Sequence, residues 1–340
     1  MKAIREIDDS ALCIYRKKWA RGFRYLNEEG KPIKDKTTLK RLKNLVIPPM
    51  WTDVKICRFE EGHIQATGRD KKGRKQYIYH TIYEQNCQLE KFNSLINFAK
   101  ALPTIRKKSY KAIQTKEWTK EKVLGLMILI LDGYGIRIGN KYYQENNDTI
   151  GLTTMRRKHM KIDGDGIIFH YNGKSHIDRS VMIDDAQLIS LIKEAADLPG
   201  YEIFRYQDEN GDFQSIDSDE VNEYLAKNMC AEYSSKYFRT WAACRLAIEY
   251  YPVALEEKQK NKRKKFSNIV VKMVASELGN TPSVCRNYYI HPAIMEKIES
   301  KSLPQPNPFK HSKSTNTLSR DEKFALQIIE MAFISYMVSK

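Results

Sequence analysis

The sequence predicts an α+β protein: a small β-rich domain over residues 1–85, then a larger, mostly helical domain over 86–340 that also holds a small β-hairpin sheet. Three observations carry this. Up to about residue 85 the chain reads as short β-prone runs separated by turn residues. From about Thr81 onward, apolar residues recur at helical spacing between recognisable caps. Within that second part, two Gly-containing turns join three strand-like runs over 158–183. The chain is 340 residues long, enough for two cores, and its 41% hydrophobic content makes it globular.

In the first region Cys13–Tyr15 and Gly22–Leu26 are β-prone, with Asn27-Glu28-Glu29-Gly30 as a turn. Thr37–Leu45 predicts a helix with Thr37 as its N-cap. Ile47-Pro48-Pro49-Met50-Trp51 has to be extended or turned, because a residue before proline avoids the helical region. Strands follow at Val54–Arg58 and Ile64–Thr67, and the turn Asp70–Arg74 leads into Gln76–Tyr79. Alternation puts Gln76 and Ile78 on one face of that strand, Tyr77 and Tyr79 on the other. Basic residues beside alternating aromatics suit a nucleic-acid face, although on composition alone core tyrosines with solvated lysines are the commoner arrangement.

In the second region Tyr83–Ala101 predicts a helix that stops before Pro103. Thr119 offers an N-cap for a buried helix through Val123–Leu131, the longest apolar run and about half a membrane span. It ends in Asp132-Gly133-Tyr134-Gly135-Ile136-Arg137-Ile138-Gly139-Asn140. An arginine set among apolar residues and glycines is either paired with a carboxylate or aimed at a phosphate. Lys158–Ile162, Gly166–Tyr171 and Ile177–Ile183 are strand-like, and Lys174 falls at the tip of the second hairpin, where most lysines are simply solvated. Asp217–Cys230 is a helix opened by Asp217 with Glu220. Ser235–Glu249 is another, carrying Lys236 and Arg239. The run Lys258–Lys265 reads as a mobile basic linker. The apolar run Ile269–Leu278 stops at Gly279. Thr281-Pro282 then restarts a short helix that leads to Tyr288 and Tyr289. Leu303–Pro308 is an irregular connection, and Ser319-Arg320-Asp321-Glu322 is a capping box for a final helix to about Val338.

Charge narrows the function. Lys plus Arg number 58 against 42 Asp plus Glu, a net +16. An excess of this size argues for a polyanionic partner, either nucleic acid or an anionic membrane surface. Six cysteines are scattered without a Cys-x-x-Cys pair, which predicts reduced intracellular thiols and no disulfide frame or zinc site. The seven histidines form no metal-ligand pattern, so no metal or other cofactor is expected. Met1–Arg5 has no apolar signal core.

Taken together, these motifs resemble the poxvirus and bacterial type of DNA topoisomerase IB over nearly the whole chain. Ile47–Val54, Gln65–Asp70 and Gly73–Tyr77 are similar to the family's N-terminal signature. Arg137-Ile138-Gly139-Asn140, Gly173-Lys174-Ser175, Lys236–Trp241 and Gly279–Ser283 with Tyr289 are similar to its catalytic blocks, in order and spacing. The resemblance implies a monomeric, C-shaped clamp around duplex DNA, with no membrane partner. The setting would be cytoplasm or nucleoid in a cell, virion or viral replication site in a virus. It implies Tyr289 as nucleophile, forming a 3′-phosphotyrosyl link that needs no ATP. Arg137 and Arg239 would bind the non-bridging oxygens, and Lys174 would protonate the leaving 5′-oxygen. Where the poxviral pattern has His after Gly279, this chain has Asn280, as bacterial members do; it can give one neutral hydrogen bond to a phosphate. The resemblance maps Gln76, Tyr77 and Tyr79 to a major-groove face and Tyr143 and Lys236 to flanking phosphates. Lys72, Arg74 and Lys75 are further candidates for backbone contact.

Two other classes compete. A tyrosine recombinase shares the Arg-Lys-Arg-Tyr chemistry but usually has His three residues before its second arginine, where this chain has Lys236. A non-catalytic basic DNA-binding protein would leave Tyr289 unreactive.

Overall fold

The alternating runs of the N-terminal region pair into a five-stranded antiparallel sheet. Its strands are β1 (Ile14–Trp19), β2 (Gly22–Leu26), β3 (Thr52–Ile56), β4 (Ile64–Arg69) and β5 (Lys75–Tyr79), in the order β2-β1-β3-β4-β5. The structure is a computed structural model describing residues 4–229, 233–305, 307–308 and 317–338. Two compact units divide it, Met1–Lys91 and Phe92–Lys340. One sheet face buries Ile14, Val54, Ile56 and Ala66 against Leu42 of helix α1 (Lys36–Asn44). The cap of α1 is Asp35, not Thr37: its carboxylate accepts from the Thr38 amide at 2.6 Å. A carboxylate at a helix N-terminus satisfies free amides and also opposes the helix dipole, an advantage a threonine two residues later lacks. The Pro48-Pro49 turn is held by the buried Arg16, which donates to the carbonyls of Ile47, Pro48 and Trp51 at 2.8, 2.9 and 3.0 Å.

The second unit is mostly helical around one core. Helix α2 runs Thr81–Ala112 and passes straight through Pro103, overturning the expected stop at Ala101. Proline inside a helix costs about 3 kcal/mol. Phe98, Leu102 and Ile105 around it are fully buried, and each contributes about 2 kcal/mol, so packing outweighs the proline. Helix α3 (Lys120–Tyr134) is capped by Thr119 as predicted and closes at Gly135 with φ 58°. The short α4 (Lys141–Asn147) follows, then a sheet of β6 (Met160–Asp163), β7 (Gly166–Asn172) and β8 (Asp178–Ile183) in sequence order. Next come α5 (Ala186–Asp197), the ribbon β9 (Arg205–Gln207) with β10 (Phe213–Ser215), and α6 (Ser218–Met229). The expected end of α6 at Cys230 lies outside the described residues.

Helix α7 runs Lys236–Lys260 through Pro252, so the expected linker begins as helix. Lys258 Nζ then donates to the carbonyls of Lys262 and Lys264 at 2.6 and 2.5 Å, fixing the turn. Helices α8 (Phe266–Leu278), α9 (Pro282–Tyr288), α10 (Pro292–Glu299) and α11 (Arg320–Val338) complete the unit. The Ser319–Glu322 capping box forms, and Glu322 does more. It takes two bonds from Arg106 at 3.0 and 2.6 Å and one from the Trp241 indole at 2.8 Å. Arg106 also holds Asp132 at 2.6 Å. This buried network ties α11 to α2, α3 and α7. No helix among the described residues is long and apolar enough to cross a membrane.

Candidate active site

Gly279 ends α8 in the left-handed conformation at φ 58°, and Thr281 with Pro282 starts α9. This sharp restart places Asn280 between the two helices and Tyr289 at the C-terminal end of α9. The Tyr289 amide donates to Cys285 at 3.1 Å, and its carbonyl accepts from the Cys244 thiol at 3.7 Å. Its ring packs partly buried against the main core, whereas Tyr288 is 38% exposed.

Arg137 arrives on the extended segment after α3. That segment is held by the Leu152 amide, which donates to the Arg137 carbonyl at 2.9 Å. The approach depends on two facing glycines: a Cβ on Gly151 would lie 2.4 Å from the Gly139 backbone. Arg239 comes from the first turns of α7 and is buried. It donates to the carbonyls of Gly135 and, at 2.7 Å, Leu278. Asn280 joins the two arginines: its Oδ1 accepts from Arg137 at 2.6 Å and from Arg239 at 3.3 Å. The Arg239 guanidinium carbon lies 5.6 Å from the Tyr289 ring centroid. Both guanidiniums also interact with the Tyr289 side chain.

The electrostatics are one-sided. Among the described residues no carboxylate pairs with Arg137 or Arg239. Burial, then the charge of Arg137, pushes Arg239 down to about 10, and burial also lowers Arg137. Arg239 Nε and Asn280 Nδ2 are buried donors without a protein partner among the described residues. Buried donors and unpaired charges are costly unless a ligand satisfies them. Arg137, Arg239 and Asn280 therefore converge beside the Tyr289 phenol in an arrangement with the charge and donors to bind an anion. Among the described residues no group of three or more His, Cys, Asp or Glu could hold a metal ion.

Lys174 lies apart from these contacts. It stands exposed in the 173–177 connection between β7 and β8. Lys236 is exposed on the first turn of α7. Tyr143 lies on α4, and its side chain is outside those described. In the first unit Tyr77 and Tyr79 are 42% and 43% exposed and stacked at 5.9 Å. Lys75 Nζ lies 5.2 Å from the Tyr77 ring. The register runs Tyr15, Lys55, Thr67, Tyr77 across the sheet, so the tyrosines share a face with basic side chains. Gln76 turns the other way and donates to Asp70 at 3.0 Å. Arg74 is paired with Asp70 at 2.7 Å, and Lys72 is exposed in the same turn. Sequence reasoning missed Arg179, a buried arginine next to this centre. The one signal for it is strand phase, since it alternates inward with Val181 and Ile183.

The matching family models and sequence relatives agree on a family. The model of the eukaryotic DNA topoisomerase I catalytic core matches residues 80–314, and that of the bacterial DNA topoisomerase IB N-terminal domain matches 22–70. DNA topoisomerase 1B of Acanthamoeba polyphaga mimivirus is 31% identical over 82% of this chain and 84% of its own length. DNA topoisomerase 1B of Vaccinia virus is 23% identical over 79% and 84%. Among solved structures, the XerH site-specific recombinase bound to palindromic difH substrate covers 69% of this chain and 58% of its own, at 15% identity and TM-score 0.32.

Proposed function

The chain belongs to the type IB DNA topoisomerases, a family of isomerases, and on that footing we propose that it relaxes supercoiled duplex DNA by cutting and rejoining one strand through Tyr289, without ATP or metal. The observation that carries this reading is the pair of buried, carboxylate-free arginines joined by Asn280 beside the Tyr289 ring.

The scissile phosphate sits against Arg137, Arg239 and Asn280 Nδ2. Their donors bind its non-bridging oxygens, and the two positive charges offset the charge that builds up in the transition state. Tyr289 Oη gives up its proton to solvent and attacks phosphorus. The P–O5′ bond breaks as the P–Oη bond forms, and Lys174 delivers a proton to the departing 5′-oxygen. The other strand end is held as a 3′-phosphotyrosine, so the phosphodiester energy is kept. Rotation of the free end removes supercoils, and attack by the 5′-hydroxyl reverses every step. Tyr77, Tyr79 and Lys75 supply groove and backbone contacts from the first unit, with Lys236 and Tyr143 near flanking phosphates. One copy of the chain closes around the duplex wherever that DNA resides, nucleoid or viral replication site.

The test is a denaturation trap with radiolabelled duplex, beside relaxation of a supercoiled plasmid in EDTA without nucleotide. Wild type and Tyr288→Phe should yield a covalent adduct and relaxed plasmid. Tyr289→Phe should bind duplex yet yield neither. An adduct from Tyr289→Phe, or none from wild type, would sink the proposal.

A further inference from the structure

Lys174 is exposed, yet the hairpin beneath it is anchored on both sides. On one side the Ile150 amide donates to the Asn172 carbonyl at 2.8 Å. On the other is Arg179, directly across the ladder from Tyr171 on the buried face of β8. Its guanidinium donates to the carbonyls of Ser276 at 3.1 Å and Glu277 at 2.7 Å. Those carbonyls belong to the last turn of α8, at the negative end of the helix dipole, where carbonyls run short of helical amides; that of Ser276 also accepts from the Gly279 amide at 3.2 Å. Its stem fills the space beside two glycines. A Cβ on Gly173 would lie 3.1 Å from Arg179 Cγ, and one on Gly279 would lie 2.3 Å from Arg179 Cδ. These are the residues just before Lys174 and just before Asn280.

We propose that Arg179 is a positioning residue that locks the Lys174 hairpin to the end of α8, and so sets the reach of the general acid to the phosphate bound at Asn280. The inference rests on the reading of Lys174 as the acid. One side chain between Gly173 and Gly279 couples the leaving-group side of the centre to its phosphate-binding side. A fork that grips two carbonyls fixes an angle as well as a distance, which a lysine cannot do. Displacing a catalytic group by about 1 Å costs about a hundredfold in rate.

The experiment measures single-turnover cleavage by the full chain on two duplexes, one natural and one with sulfur in place of the bridging 5′-oxygen. A thiolate leaves without a proton, because a thiol's reference pKa is only about 8.5. Arg179→Met keeps the stem and removes the fork. It should cut the natural duplex about a hundredfold more slowly than wild type, yet cut the sulfur duplex at close to the wild-type rate for that substrate. Arg179→Lys should recover little of the lost rate on the natural duplex. Equal slowing of Arg179→Met on both duplexes, or none on either, would overturn the proposal. Lys174→Ala is the control. If sulfur fails to rescue it, the acid assignment falls; if sulfur rescues it but not Arg179→Met, the Arg179 inference alone falls. Should Arg179→Met not fold, hydrogen exchange on Arg179→Lys decides. The Gly173 and His176 amides, which close the hairpin turn, should exchange at least about tenfold faster than in wild type. Unchanged exchange there would also overturn it.

Discussion

Asn280 Oδ1 accepts a 2.6 Å hydrogen bond from Arg137 while its own Nδ2 stays buried without a protein partner among the described residues. The amide's orientation is thereby fixed: the oxygen is spent on the arginines and the donor is kept for another acceptor. Asn280→Ala should lose one neutral hydrogen bond, slowing cleavage about three- to tenfold. Asn280→Asp should split stability from activity. A carboxylate between two guanidiniums that have no carboxylate partner among the described residues raises the melting temperature, but it repels the phosphate and should slow cleavage by at least about a hundredfold. Thermal melts and single-turnover rates on the same preparations check both halves. A destabilised Asn280→Asp would contradict the charge imbalance described for the centre.

Arg137 and Arg239 each divide their donors between fixed protein acceptors and the centre. Lysine in either place keeps a charge but cannot serve both directions at once. Each Lys variant should slow cleavage on the order of a hundredfold or more while duplex affinity changes little. Binding isotherms and cleavage rates measured together will tell, and near-wild-type cleavage by both variants would count against transition-state binding.

Glu322 is nearly fully buried, with two Arg106 bonds and the Trp241 indole on its carboxylate. Burial alone would raise its pKa, but the bond and charge of Arg106 prevail and hold it below the usual carboxylate range. A lowered folded pKa stabilises above the unfolded value, and that stability is lost as pH falls through the folded one. Glu322→Gln breaks the pair and should cost about 3 kcal/mol, a fall of about 10 °C in the melting temperature of the second unit. Calorimetry reads this directly.

His291 caps α10, its Nδ1 accepting from the Ala293 amide at 3.1 Å, and its ring meets Phe92 edge-on. Burial pushes its pKa down from 6.5 to about 4. Between those values the unfolded chain binds a proton that the folded chain refuses, so stability should fall as pH drops through this window. The full shift amounts to about 3 kcal/mol. Half-buried His159 is also lowered, by burial first, and adds in the same direction. His291→Asn keeps a capping oxygen but cannot titrate. Its melting temperature should be lower at pH 7 and less sensitive to acid between pH 6.5 and 4.5.

The helix signals visible in the sequence were local ones. Gly279, Thr281 with Pro282, Thr119, and the Asp217–Glu220 and Ser319–Glu322 boxes act through backbone groups within one turn, so neighbouring residues suffice to read them. One local signal misled, since Asp35 and not Thr37 caps α1; the longer-range failures came where distant packing decides. Helices α2 and α7 continue through Pro103 and Pro252 because buried neighbours hold them. Helix α5, capped by Asp185 with Leu188, Ile189, Ile192, Ala195 and Ala196 on its buried face, and the β9–β10 ribbon, with Asn210-Gly211 in its turn, carry local signals that went unassigned. In the centre, Arg137, Arg239, Asn280 and Tyr289 belong to recognisable blocks and meet in space. Arg179 belongs to none, and only its inward phase on β8 marks it, because its two carbonyl partners lie 97 and 98 residues away.

The Glu322 network carries one further consequence, for the order in which the molecule can be made. Helix α11 follows in the chain everything it braces, including the Trp241 turn two residues beyond Arg239. On a ribosome the segment 320–338 emerges after α2, α3 and α7, and until then Asp132 is the one counter-ion of Arg106 among the described residues. Domains fold as units during synthesis, so the support beneath the Arg239 helix is completed only by this late segment. A nascent chain would thus complete the support beneath the Arg239 helix only once α11 has emerged and Glu322 has met Arg106 and Trp241.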